Sequence, residues 1–255
     1  MVWNPQIYNQ FKDIRYKPFY DLTTFIKPDE NMKAVDLGCG TGEQTAILAD
    51  KFPGSQFLGI DLSAEMLAKS KPLENDNLHF RQRTTEDVVA SGERWDLIFS
   101  NAALQWLDNH HDLFPNLIAL LNPKGQFAVQ MPVQNENLLN KILLALVKEK
   151  PFNNYLNGWN RASSVLSIDD YAQILFEAGL EDIEIVQKVY PIITPDVDTL
   201  YNFISGSSLI PYMGRLNNSQ QELFVQAFKE RIAEHFPKFP AIYAFKRLLL
   251  YGRKV

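Results

Sequence analysis

The sequence predicts an α/β fold, a parallel sheet with helices packed on it and a small helical cap. Three observations predict it. Short β-rich runs alternate with helical stretches through the first half of the chain, the rhythm of a parallel sheet joined by right-handed crossovers. A glycine-rich turn, Gly38-Cys39-Gly40-Thr41-Gly42, falls between the first strand and the first helix of that series. Residues 194–240 then read as a mostly helical insertion between the last two strands.

Each element has its own signal. Residues 33–37 form a strand, and 45–52 a helix that Pro53-Gly54 stops. After a strand at 57–61, Ser63 caps a helix that Pro72 ends. Stretches 78–83, 95–101 and 125–131 read as three more strands. Leu113, Leu117, Ile118 and Leu121, at helical spacing, place a helix between the last two of these. Asn122-Pro123-Lys124-Gly125 has Asn, Pro and Gly where a type I turn wants them. Further on, Ser167-Ile168-Asp169-Asp170 opens a helix that Gly179 closes, and 183–190 reads as a strand. Ser219-Gln220-Gln221-Glu222 has the form of a capping box. It precedes a helix carrying Phe224, Phe228 and Ile232, which Pro237 ends; residues 245–251 are the last strand. Residues 6–26 read as a helix broken near Pro18.

Composition narrows the class. Of 255 residues, 46% are apolar and 22% charged, ordinary for a globular protein with a sizeable core. The net charge is −5 and no block of Lys and Arg occurs, so a nucleic-acid partner is not expected. The single cysteine, Cys39, cannot form an internal disulfide, which suits a reducing compartment. The longest apolar run, 142–147, is far short of the roughly 18 residues a membrane span needs. Met1-Val2-Trp3-Asn4-Pro5 lacks the blocks of a signal peptide. A cytoplasmic monomer with no membrane partner is expected.

The glycine turn carries the functional signal. Glycines there let the backbone turn sharply and come close to a ligand. Asp36 stands two residues before the first glycine, and Asp61 ends the next strand, where an acid can accept both hydroxyls of a ribose. Two ligand classes compete. A dinucleotide brings a pyrophosphate and normally a Gly-x-Gly-x-x-Gly loop; here the spacing is Gly-x-Gly-x-Gly and the acid beside it would repel phosphate. S-adenosylmethionine carries no phosphate but an ammonium and a sulfonium, both positive, and an acid at this loop suits it. A glycine turn with merely solvated acids is the third reading.

The stretch Asp36-Leu37-Gly38-Cys39-Gly40-Thr41-Gly42 resembles the signature of class I methyltransferases. The chain is more similar still to the trans-aconitate 2-methyltransferase family. The likeness runs through Trp3-Asn4-Pro5…Tyr8, Asn101-Ala102-Ala103-Leu104-Gln105-Trp106-Leu107 and Leu113-Phe114-Pro115-Asn116-Leu117. It continues in Leu121-Asn122-Pro123-Lys124-Gly125 and Ala128-Val129-Gln130-Met131-Pro132, and is dense over residues 1–132. Beyond them, Ile174-Leu175-Phe176-Glu177-Ala178-Gly179 and Pro211-Tyr212 fit less tightly. The resemblance implies one methyltransferase domain over 1–255, Rossmann-like, with a seven-stranded, mostly parallel sheet and helices on both faces. It implies a donor-binding core over 30–135, an N-terminal helical lid over 1–28 and the cap at 194–240. It implies Asp61 on the ribose hydroxyls, Gly38 and Gly40 along the methionine part, Asn101 near the sulfonium, and Thr85 and Glu86 near the adenine. Asp36, Cys39, Leu62, Met66, Thr84 and Arg15 complete the implied donor set. Many relatives have an aspartate on the adenine amino group where this chain has Thr84, so that contact falls to backbone or to Glu86. Ile210 stands where the family has an arginine before its Pro-aromatic pair, and a tricarboxylate wants bidentate arginine partners.

Methyl transfer is an in-line displacement at a sulfonium carbon, and alignment alone is worth about 7–11 kcal/mol. A carboxylate acceptor, with a pKa of about 4, is already ionised and needs no general base. It needs donors and cations to hold it. The candidates are Gln105 and Trp106 after the fourth strand, Arg15 and Tyr8 on the N-terminal helix, and Tyr212 and Arg215 in the cap. The expected acceptor is a small acid; a carrier-bound acyl carboxylate and a non-catalytic donor-binding role are the alternatives. His110-His111 is a poor base pair, since neighbours point apart on a helix, and no spacing suggests a metal. Cys39 reads as a small buried apolar group, and Phe224, Phe228 and Phe236 as core.

Overall fold

The computed structural model describes residues 11–161 and 163–255. Tyr8 and the first residues of the expected N-terminal helix lie outside the described residues. The helices and strands up to the middle of the chain are α1 (Lys12–Phe25), β1 (Lys33–Leu37), α2 (Glu43–Lys51), β2 (Gln56–Asp61), α3 (Ala64–Ser70), β3 (Leu78–Gln82), α4 (Thr85–Ser91), β4 (Trp95–Asn101), α5 (His110–Ala119) and β5 (Leu121–Pro132). They continue with α6 (Leu138–Leu146), α7 (Phe152–Tyr155), α8 (Ile168–Glu177), β6 (Leu180–Thr194), α9 (Val197–Ser205), α10 (Ile210–Met213), α11 (Asn218–His235) and β7 (Ala241–Lys254).

The strands form one seven-stranded sheet in the order β3-β2-β1-β4-β5-β7-β6. The β1–β2, β2–β3, β1–β4 and β4–β5 pairs are parallel, and β7 runs antiparallel to β5. Strands covered on both faces are solidly apolar, and Ala34, Val35, Leu97, Ile98, Phe99, Ala128 and Val129 are all fully buried. The chain leaves β1 toward β2 and β3 and returns to β4 on its other side. At such a switch point a crevice opens beyond the carboxyl ends of the strands.

The chain divides into two compact units. One comprises Pro18–Pro132, Ser164–Lys188 and Arg247–Val255. Its core brings Phe19, Leu22 and Ile26 of the N-terminal segment onto Ala34, Leu97, Phe99 and Tyr251 of the sheet. The other comprises Val133–Ser163 and Val189–Lys246, with the segment that ends at Lys17. Its core is largely helical, built on Leu139, Leu143, Leu200, Phe224, Phe228 and Ile232. Among the described residues no helix is long and apolar enough to cross a membrane.

Four local expectations change. α1 passes through Pro18 without breaking; one lost backbone bond is offset by burial of Phe19, Leu22 and Ile26. Leu121 opens β5 instead of closing α5. Residues 122–125 are absorbed in β5, where the register jumps from Trp95↔Leu121 to Leu97↔Gln126. The cap of α11 is Asn217, not Ser219: the Asn217 side chain accepts from the Gln220 amide at 3.0 Å and Gln220 answers in kind. Both tetrads fit the pattern, and an asparagine caps as well as a serine.

Candidate active site

The glycine turn lies at the carboxyl end of β1. The Gly38 and Cys39 amides both donate to the Ile60 carbonyl, at 2.9 and 2.8 Å, which ties the turn to the end of β2. Gly38, Gly40 and Gly42 all have positive φ, of 77°, 58° and 76°. Their surroundings differ. A Cβ on Gly38 would collide with the Ala103 Cβ, and one on Gly42 would come within 2.6 Å of Phe80 and Ser70. Those two glycines serve packing. A Cβ on Gly40 would meet nothing within 4 Å. Gly40 is thus the place where bare backbone faces open space, and its left-handed conformation is one that glycine adopts without strain.

Two acids flank the turn. Asp61 accepts from the Gly40 amide at 2.9 Å and from the Ser63 amide at 2.8 Å, so one carboxylate fixes both the turn and the start of α3. A carboxylate offers about four lone-pair sites, and those that remain can still take ribose hydroxyls. Asp36 is only 3% exposed and accepts from the Thr45 hydroxyl at 2.6 Å. Burial pushes its carboxyl up to about 7, against the lowering pull of the Thr45 bond, and the charge of Asp61 adds to the rise. Cys39 is half-buried, not fully enclosed as expected. Burial, then the charges of Asp36 and Asp61, drive its thiol upward, so it stays protonated and unreactive.

The loop after β4 supplies neutral polar groups. Asn101 donates to Gln44 at 2.8 Å, and its own carbonyl oxygen is buried without a partner. Gln105 donates to the Ala102 carbonyl at 2.6 Å and likewise keeps a buried, unpartnered oxygen. Trp106 closes the same 3₁₀ turn, Leu104–Trp106, and is half-buried. Gln44 escaped the sequence reading, although a polar residue in the first turn after a ligand loop was the available signal. On the far side of Asp61, Leu62 is a large apolar side chain left 68% exposed, and Met66 is half-buried on α3. Thr84 caps α4 through a capping box with Asp87. Thr85 is buried behind it and Glu86 is exposed.

His110 has both ring nitrogens engaged. Nε2 lies 2.9 Å from the Leu104 carbonyl, which can only accept, so Nε2 carries the proton. Nδ1 then accepts from the Tyr171 hydroxyl at 2.6 Å. Burial lowers its pKa and holds it neutral. It is a fastener between α5 and α8; His111 is exposed.

Arg15, Tyr212 and Arg215 belong to the other unit. Arg15 is buried, donates to the Phe203 carbonyl at 2.7 Å and stacks on the Phe203 ring. The Tyr212 hydroxyl donates to Asn160 at 2.7 Å and accepts from the Arg161 amide at 3.2 Å. Arg215 is exposed, with its guanidinium 3.6 Å from the centre of the Trp159 ring.

Around the glycine turn, the first unit suits S-adenosylmethionine on three counts. The Gly40 backbone is open to a ligand, the buried Asn101 oxygen is an acceptor awaiting a donor or a cation, and Leu62 offers an apolar surface beside Asp61. Comparison with known proteins points the same way. A methyltransferase-domain family model matches residues 28–192. Over the whole chain the protein is 40% identical to trans-aconitate 2-methyltransferase of Deinococcus radiodurans, covering 99% of that enzyme. It is 33% identical to the Escherichia coli enzyme of the same name, over 99% of this chain and 98% of that one. Among solved structures, the YcgJ protein of Bacillus subtilis matches 94% of the chain with a TM-score of 0.60 at 14% identity. Phosphoethanolamine N-methyltransferase 2 of Haemonchus contortus, in complex with S-adenosylhomocysteine, matches with a TM-score of 0.57 at 16% identity; this chain spans 52% of its length. The crevice chemistry and the full-length similarity converge: the chain belongs to the S-adenosylmethionine-dependent methyltransferases, in the family that includes the trans-aconitate 2-methyltransferases, and S-adenosylmethionine is its methyl donor.

Proposed function

We propose that the enzyme methylates a carboxylate oxygen of a small di- or tricarboxylic acid such as trans-aconitate, working as a monomer in a reducing cytoplasm. The observation that carries the reading is the 40% identity, end to end, with an enzyme of that name. The site's own chemistry supports it. The imidazole of His110, hydrogen-bonded to the Leu104 carbonyl in the loop after β4, is held neutral with both nitrogens occupied. An acceptor with a pKa of about 4 arrives ionised and asks for no base. When bound, S-adenosylmethionine supplies an already activated methyl group on a sulfonium. Asp61 would hold the ribose hydroxyls, the Gly38–Gly40 backbone would bind the methionine part, and the Asn101 oxygen would serve the cationic centre. Leu62, Met66, Thr84, Thr85 and Glu86 would serve the adenine. The single cysteine, unable to pair within the chain, suits the compartment.

The test is turnover with methyl-labelled donor and a panel of di- and tricarboxylates, phenols and amines. Base-labile methyl esters of the acids are expected. Labelling confined to phenols or amines would overturn the proposal.

A further inference from the structure

Gln130, near the end of β5, is 0% exposed, and its Nε2 has no hydrogen-bond partner. A buried amide N–H left unpaired costs about 1–3 kcal/mol, and folded proteins rarely leave one without a use. The orientation of the amide is fixed by its neighbour. Oε1 faces Arg247, whose Nη1 donates to it at 3.4 Å. A guanidinium cannot accept, so the amide oxygen must take that side and Nε2 must point elsewhere.

The sheet register places these groups. Gln130 is paired with Asn101 across β4–β5, and Arg247 is paired with Pro132, two residues beyond Gln130, across β5–β7. Paired residues, and residues two apart along a strand, project from the same face. Asn101, Gln130 and Arg247 therefore share one face at the carboxyl ends of β4 and β5, all within the first unit. There the unpartnered atoms are complementary. The Asn101 and Gln105 oxygens suit something positive, and the Gln130 N–H suits something negative.

From this polarity we propose that Gln130 Nε2 anchors a carboxylate of the methyl acceptor, with the Arg247 guanidinium beside it, while the two amide oxygens face the cationic donor. The proposal rests on the carboxylate-acceptor reading above. Gln130→Met keeps length and removes the N–H; Gln130→Glu pairs with Arg247 and sets a negative charge against the acid. In both, affinity for S-adenosylhomocysteine should stay within about twofold of wild type, because the donor side is untouched. KM for the acid should rise about 10- to 100-fold in Gln130→Met, as for a lost hydrogen bond to a charged group, and further in Gln130→Glu. The thermal stabilisation that the acid adds to the S-adenosylhomocysteine complex should vanish, a readout independent of turnover. An unchanged KM in both variants, with an active wild type, overturns the role of Gln130 alone. Equal loss of donor and acceptor binding also overturns it. A wild type that neither methylates nor is stabilised by any acid removes the carboxylate reading, and this anchor with it.

Discussion

Asp36 and Asp61 differ in task although both flank the same turn. Asp61 is wired into the backbone, through Gly40 and Ser63, and Asp36 is sealed beneath with Thr45. Asp61→Ala should weaken donor binding by about 1–3 kcal/mol, through lost charge-assisted hydrogen bonds and a loosened turn, measurable by calorimetry. Asp36 gives two pH predictions. Its carboxyl is raised from 3.8 to about 7, so the folded protein holds a proton there that the unfolded chain releases above about pH 4. That contribution to stability is present below pH 4 and is lost as pH rises toward 7. Asp36→Asn should therefore raise Tm at pH 8 more than at pH 4; equal shifts at both would contradict this. A cationic donor favours ionised Asp36, so wild-type affinity for S-adenosylmethionine should rise between pH 5.5 and 7.5, a slope that Asp36→Asn should flatten.

At the scale of elements, the turn between β1 and α2 and the clasp between α5 and α8 make separate predictions. Gly40→Ala puts a methyl into open space, so its cost in stability is the strain of a left-handed alanine, about 1–2 kcal/mol, while donor affinity falls steeply. Gly38→Ala drives a methyl into Ala103 and should fail first as a folding defect, seen as a larger drop in Tm. His110→Ala should cost about 2–4 kcal/mol of stability through the lost Tyr171 and Leu104 bonds and a cavity, yet leave kcat nearly unchanged, since the imidazole is a fastener. The sheet was legible because short apolar runs between glycine and proline stops carry strand register openly; β1 and β4 match the sequence reading end to end. The Pro18 helix was not, because its continuity depends on Phe19 and Leu22 meeting a sheet far along the chain. Asp61 and the glycines were legible from spacing. Gln44, and the burial that lifts Asp36, were not, because each depends on a side chain reached only by the fold.

At the scale of the molecule, a net charge of −5 is unremarkable, and what selects a ligand is where two of the acids sit. Proteins only 14–16% identical share this fold, so the strand order fixes the place of the crevice and the local residues fix its preference. A turn of bare backbone between Asp36 and Asp61 favours a cationic nucleoside and opposes a phosphorylated one. Calorimetric titration of the protein with S-adenosylmethionine, S-adenosylhomocysteine and NAD at one pH and salt compares these directly. Saturable binding of the first two at a common site, with no binding of NAD, is the predicted result. Tight binding of NAD, or none of either adenosyl compound, would contradict it.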